Sequence, residues 1–155
     1  MHGNALRYIS FLLTMVIFTL LTNDFALMPQ KATGGSAGYD LRASLPETHI
    51  LTKGSHAIIP TGVSTKFGND VVGLLCSRSG MAAKHGVFVL NAPGVIDSDY
   101  EDEVKVILMN LGSKDFVIEP YQRIAQLVFA KLSDSPDVVT ALKPRQGGFG
   151  STGQQ

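Results

Sequence analysis

Apolar runs of four to ten residues, separated by clusters of Gly, Pro, Asn, Asp and Ser, cover most of the chain. The runs are "MVIFTLL" (15–21), "AGYDLRA" (37–43), "HILT" (49–52), "SHAIIP" (55–60), "GVSTKF" (62–67), "VVGLLCS" (71–77), "GVFVL" (86–90), "EVKVILMNL" (103–111), "DFVIEP" (115–120) and "RIAQLVFAKL" (123–132). The breakers between them include "LPE", "TKGS", "FGND", "NAPG" and "NLGSKD". β-Branched and aromatic residues dominate the runs, which predicts strands. Many short strands at this spacing predict an all-β sandwich or barrel. Only "SRSGMAAKHG" (77–86) has helical character, enough for about two turns. The last stretch, "KPRQGGFGSTGQQ", is glycine-rich and has no apolar periodicity.

Composition narrows this picture. At 155 residues the chain is read as one domain, able to bury its core without disulfides or structural metal. Thirteen basic residues balance thirteen acidic ones, which argues against a broad nucleic-acid-binding surface. One cysteine, Cys76, makes no internal disulfide framework and points to a reducing compartment. His2, His49, His56 and His85 are scattered without zinc spacing and read as surface residues.

Residues 8–21, "YISFLLTMVIFTLL", are uncharged and follow Arg7. That order resembles a signal-peptide core. It is short for a membrane span, which needs about 20 residues. The favoured reading is a strand beginning at Met15, with residues 1–14 a separate extension. Secretion is not expected, because no clean small-residue cleavage site follows. The expected location is intracellular and cytoplasmic, or nuclear for a eukaryotic or viral host.

Charge is concentrated in "NAPGVIDSDYEDEV" (91–104). Asp97, Asp99, Glu101, Asp102 and Glu103 are five of the thirteen acids, within seven residues. "NAPG" reads as a turn and "GVI" as a strand, together predicting a β-hairpin with Asp97 near its base. A carboxylate there, ionised at neutral pH, orients a water and accepts its proton. Tyr100 offers a flat face to a ligand. Glu101, Asp102 and Glu103 read as a solvated turn, and a surface charge cluster accounts for all five acids equally simply. EF-hand spacing is absent.

Two other stretches carry anion chemistry. Arg78, Ser79 and Gly80 open the short helix, where free N–H groups and the helix dipole favour an anion and Arg78 adds charge-assisted bonds. Ordinary capping by Ser77 or Ser79 explains the same residues. In "RQGGFGSTG" the glycines let backbone approach a ligand, Arg145 neutralises phosphate, Ser151 and Thr152 donate to it, and Phe149 stacks on a base. Phosphate binders, a water-orienting carboxylate and stacking aromatics together suit hydrolysis of a nucleotide phosphate with a divalent cation.

These stretches resemble, in order, the five motifs of the trimeric dUTPase family. "AGYDLRA" (37–43) is similar to the first and "SRSGMAAKHGV" (77–87) to the second. "NAPGVIDSDYEDEV" (91–104), "PYQRIAQLVF" (120–129) and "RQGGFGSTG" (145–153) are similar to the third, fourth and fifth. The resemblance runs from about residue 15 to 153. It implies a jelly-roll-like all-β fold with one short helix over 15–142, assembled as a homotrimer with active sites at subunit interfaces. It also implies a C-terminal arm over 143–155 that closes a neighbouring site. The implied reaction converts dUTP to dUMP and pyrophosphate with Mg²⁺, which limits dUTP incorporation into DNA and supplies dUMP for thymidylate synthesis. No nucleic acid or membrane partner is implied.

Carried over by motif position, Asp97 activates the water and Asp40 meets Mg²⁺ through its water shell. Arg78, Ser79, Gly80 and Gln126 contact phosphates. Asn91 and the backbone around Gly94, Val95, Ile96 and Lys105 read the uracil edge, and Tyr100 packs under the deoxyribose and excludes a 2′-hydroxyl. From the tail, Phe149 caps the uracil and Arg145 binds the γ-phosphate, beside Gly150, Ser151 and Thr152. The chain departs from the family at Glu101-Asp102, where Arg-Gly is common, and at Ser77, where proline is common; the second change is expected to be tolerated. Two alternatives remain. A dCTP deaminase needs a glutamate base and an Arg-Ser-Ser motif, which "VIDSDY" and "SRSG" match less well. A silent dUTPase-like binding protein should have lost Asp97, Tyr100 or the tail.

Overall fold

The computed structural model of the chain describes residues 15–133. Every apolar run carries a strand. In chain order these are β1 Ile17–Leu20, β2 Tyr39–Arg42, β3 His49–Leu51, β4 His56–Ile59, β5 Val63–Lys66 and β6 Val71–Cys76. They continue as β7 Val87–Val89, β8 Gly94–Ile96, β9 Val106–Asn110, β10 Phe116–Ile118 and β11 Arg123–Lys131. The helix α1, Ser79–His85, lies between β6 and β7 as the sequence predicts. A 3₁₀ turn at Phe25–Leu27 has no counterpart in the apolar pattern, and the Asp24 carboxylate caps it by accepting the Ala26 N–H at 3.0 Å.

Pairing is antiparallel throughout. The largest sheet has the order β2-β11-β6-β8, and a three-stranded sheet has the order β4-β9-β7. β1 pairs with β5, and β3 with β10. Successive side chains on a strand face opposite sides. β6 therefore buries Val71, Gly73 and Leu75, and β9 buries Val106, Leu108 and Asn110. Leu41, Leu51, Ile59, Leu75, Leu108, Ile118, Ile124 and Leu127 form the heart of one core. Burying each contributes about 1.5–3 kcal/mol. Asn110 is the polar member, fully enclosed but satisfied: its amide donates to Leu51 O (2.9 Å) and Lys114 O (3.0 Å) and accepts the Gly112 N–H (2.9 Å). It ties β9 to β3 and to the turn before β10.

Three features refine the sequence reading. Ile17–Leu20 is a strand paired with Val63–Lys66, so that part of the uncharged run is strand as predicted, while residues 1–14 lie outside the described residues. Among the described residues no helix is long and apolar enough to cross a membrane. The stretch 91–104 does not close on itself as a ladder. β8 pairs instead with β6, where Gly73 leaves room for Ile96: a Cβ on Gly73 would sit 3.1 Å from the Ile96 Cβ. Beyond β8 the chain turns, with the Tyr100 N–H donating to Asp97 O at 3.2 Å.

Candidate active site

The order of the large sheet decides which motifs meet. Asp40 on β2 stands opposite Gln126 on β11, and Gln126 stands opposite Cys76 at the end of β6. On the other side of β6, Leu75 faces Gly94 of β8. The first, fourth, second and third motif stretches thus lie on four neighbouring strands, although 86 residues separate Asp40 from Gln126 (126 − 40).

Asp40 is the electrostatic centre of this end of the sheet. Its side chain is 14% exposed and receives two guanidinium groups, Arg78 Nε at 3.2 Å and Arg123 Nη1 at 3.1 Å. Arg78 also donates through Nη1 to Arg123 O at 3.0 Å, so one carboxylate and one carbonyl fix its plane. A planar fork held this way presents its remaining N–H groups in a set direction. Arg123 joins this cluster although the motif assignment passed over it; the available signal was its place in "QRIAQ", within the fourth motif stretch.

Gln126 is oriented as well. Its side-chain amide donates to Ser77 O at 2.9 Å. Gly38 is buried against it, and a Cβ there would lie 2.6 Å from Gln126 Oε1 and 3.1 Å from its Cβ. Only glycine lets β2 approach that closely.

α1 begins at Ser79 after Arg78 in extended conformation (φ −89°, ψ 122°), and no side chain caps it. The capping alternative for Ser77 and Ser79 therefore fails. Ser77 Oγ instead accepts the Val89 N–H at 3.0 Å, a bond that proline could not make, and this shows why serine is accommodated there. Ser79 and Gly80 are exposed, and a Cβ on Gly80 would meet nothing within 4 Å. The start of α1 and Arg78 therefore share one open edge.

In the third stretch, Asn91, Val95, Asp97 and Lys105 are exposed, Ile96 is half-buried and Gly94 is buried against Leu75 and Asn91. The Ala92–Pro93 peptide bond is cis. Tyr100 is buried, and its phenol donates to Glu103 O at 2.9 Å. Glu101 and Asp102 are exposed as a solvated turn predicts. Glu101 lines a cavity of about 160 Å³ that also holds Lys66, Thr19, Ser64, Thr65 and Ser98. Glu103 corrects the same expectation. It is half-buried, accepts the Thr61 and Gly62 N–H groups at 3.0 and 2.7 Å, and stands 3.8 Å from Lys105 Nζ. Those two backbone donors need an acceptor once desolvated, and Glu103 supplies it. Arg145, Phe149, Gly150, Ser151 and Thr152 lie outside the described residues.

The family model described as dUTPase matches residues 24–153. The chain belongs to the dUTPase family. It is 43% identical over 132 residues to the deoxyuridine 5′-triphosphate nucleotidohydrolase of Chlamydia trachomatis, covering 82% of this chain and 91% of that protein. With the Treponema denticola enzyme of the same name it shares 44% over 143 residues, 90% of this chain and 99% of the relative. Among solved structures, the dUTPase of Streptococcus mutans superposes with a TM-score of 0.70 at 31% identity, over 77% of this chain and 98% of that one. The dUTPase of phage phi11 of S. aureus, described with a structural Mg(II) ion, superposes at 0.69 with 22% identity, over 83% and 97% of the two chains. The mostly-β architecture with one short helix is therefore the dUTPase fold.

Proposed function

We propose that this chain hydrolyses dUTP to dUMP and pyrophosphate; its relatives carry the name deoxyuridine 5′-triphosphate nucleotidohydrolase. The observation that supports the reading is the strand order β2-β11-β6-β8, which puts four motif stretches on neighbouring strands: Asp40, Gln126 and Arg78 meet at one sheet end, and Gly94 lies beside it, while β8 carries Asp97 toward the other end of β6. Arg78, Gln126 and the amides of Ser79 and Gly80 bind phosphates. Asn91 and the backbone of Gly94, Val95, Ile96 and Lys105 recognise uracil. Hydrogen bonds to a base edge discriminate strongly, because a mismatched base leaves buried groups unpaired. Asp97 orients the attacking water and takes its proton. Tyr100 packs against the deoxyribose. Arg145, Phe149, Gly150, Ser151 and Thr152 complete the site from a neighbouring subunit of a homotrimer, excluding water from it.

The residues suit magnesium in one particular mode. Among the described residues, no three Asp, Glu, His or Cys side chains converge to hold a metal. Asp40 is a lone carboxylate beside the phosphate-binding edge. Mg²⁺ keeps several waters and binds through one or two carboxylates plus substrate phosphates, which this arrangement fits. When bound it would offset the charge of the triphosphate. Asp40 would hold it through its water shell, and Arg78 and Arg123, fixed on the same carboxylate, would remain available to the phosphates.

Pyrophosphate release with magnesium, comparing dUTP with dCTP, dTTP and UTP, tests the reading. Turnover of dUTP alone is expected, with loss on chelation. Ammonia release from dCTP would make the chain a deaminase, and a folded protein that binds dUTP without turnover would make it a binding protein. Sedimentation of the full chain tests the trimer.

A further inference from the structure

Glu103 differs from the four acids before it. Asp97, Asp99, Glu101 and Asp102 are exposed, whereas Glu103 turns inward onto the link between β4 and β5. Its Oε1 accepts two backbone N–H groups, Thr61 at 3.0 Å and Gly62 at 2.7 Å. Two further bonds join the same segments: Thr61 Oγ1 donates to Val104 O at 2.5 Å, and the Val104 N–H donates to Val63 O at 2.8 Å. Thr61, Val63 and Val104 are fully buried. Gly62 is held at φ +69°, and a Cβ there would lie 2.9 Å from Leu27 Cδ1, so the receiving turn is fixed. The carbonyl that anchors the Tyr100 phenol at 2.9 Å is that of Glu103 itself. The residue that latches the segment to the core is thus the residue that holds the tyrosine.

We infer that Glu103 is a positioning residue for sugar selection: its carboxylate latch on Thr61 and Gly62 stiffens Tyr100, and that stiffness rejects a 2′-hydroxyl. The inference rests on the reading that Tyr100 packs against the deoxyribose. Steric rejection depends on how little the wall gives, because a wall that moves by a few tenths of an ångström admits one more oxygen. Without the carboxylate, the Thr61 and Gly62 amides lose their acceptor. The backbone at residue 103 is then held only from one side, through the bonds at Val104, and the phenol anchor gains freedom with it. Lys105, at 3.8 Å and with a side chain 42% exposed, is the solvent-screened end of the latch and contributes less.

Four proteins separate the possibilities: the full chain and its Glu103→Ala, Glu103→Asp and Glu103→Gln variants, assayed for kcat and KM on dUTP and UTP. Glu103→Asp keeps the charge but withdraws it by one methylene. Glu103→Gln keeps the reach and an acceptor oxygen. Ala and Asp variants are expected to lower the dUTP-over-UTP ratio of kcat/KM about ten-fold, chiefly through a lower KM for UTP, with kcat on dUTP within about three-fold. The Gln variant is expected to keep the ratio within about two-fold. If the Ala variant fails to fold, the Asp and Gln pair carries the comparison. A folded Asp variant with the full ratio would overturn the inference. So would a Gln variant as impaired as Asp, or an equal fall on both nucleotides. An unmodified chain without dUTP turnover sinks the parent reading, whereas a discriminating chain whose Asp variant discriminates equally well sinks only the latch.

Discussion

Asp40 on β2 and Arg78, in the link from β6 to α1, meet at 3.2 Å although β11 lies between β2 and β6 in the sheet. Arg123, from that intervening strand, reaches the second Asp40 oxygen at 3.1 Å. The carboxylate holds two guanidiniums in place, and under the proposed function it would also offer a hard oxygen to a hydrated cation.

Replacing Asp40 by Asn separates these purposes from stability. The pairs are partly exposed, so the loss of folding free energy should stay within about 1 kcal/mol. The magnesium concentration for half-maximal pyrophosphate release should rise about ten-fold, because the outer-sphere partner is neutral. A magnesium titration of both proteins checks this.

Asp97→Asn should act on the chemical step. The residue is exposed and follows β8, so the fold should be unchanged by circular dichroism and thermal melting. Removing a general base costs roughly 10²–10⁴ in kcat with KM within a few-fold. Single-turnover measurement of dUMP formation reads the effect directly.

Just before β11, Tyr121 adopts a left-handed backbone (φ 62°) and donates its phenol hydrogen to Asp24 Oδ2 at 2.6 Å. That bond, followed by the Ala26 N–H, holds the Asp24 carboxyl below its ordinary value of 3.8, and the same bond raises the Tyr121 phenol above 10.0. A depressed carboxyl stabilises above its unfolded value and loses that contribution as pH falls through the folded one. A raised phenol stabilises below its unfolded value and loses that contribution as pH rises through the folded one. The Tm difference between the natural chain and Tyr121→Phe should therefore be flat through neutral pH, and should shrink in acid below 3.8 and in alkali above 10.0. Thermal melts across pH test it.

Two glycines at opposite ends of α1 should respond oppositely to alanine. Gly86 ends the helix at φ 66°, and a Cβ there would lie 2.8 Å from the backbone of Gly112. Gly86→Ala should cost about 2–4 kcal/mol, from left-handed strain plus the clash with a backbone that cannot yield. Gly80 has open space around it. Gly80→Ala should leave Tm unchanged or raise it slightly, since alanine favours the helix. It should nonetheless raise KM for dUTP by crowding the phosphate-binding edge. Melting curves and steady-state kinetics on both variants distinguish the two effects.

What the sequence determined by itself was local. Short apolar runs rich in β-branched and aromatic residues, bounded by turn residues, marked the strands, because such side chains fit a half-buried pleated surface. The small residues of "SRSGMAAKHG" marked the helix, and resemblance to the family's motifs picked out Asp40, Arg78, Gln126 and Asp97 as a set. Partnership was decided only in three dimensions. No local signal told β8 to pair with β6 instead of folding back as a hairpin; the room that Gly73 leaves for Ile96 decided it. Nothing in "YEDEV" set Glu103 apart from Glu101 and Asp102, because a charged residue reads as solvated until buried amides need an acceptor. Those amides, on Thr61 and Gly62, lie some forty residues earlier and become its neighbours only when the segment packs against the link between β4 and β5.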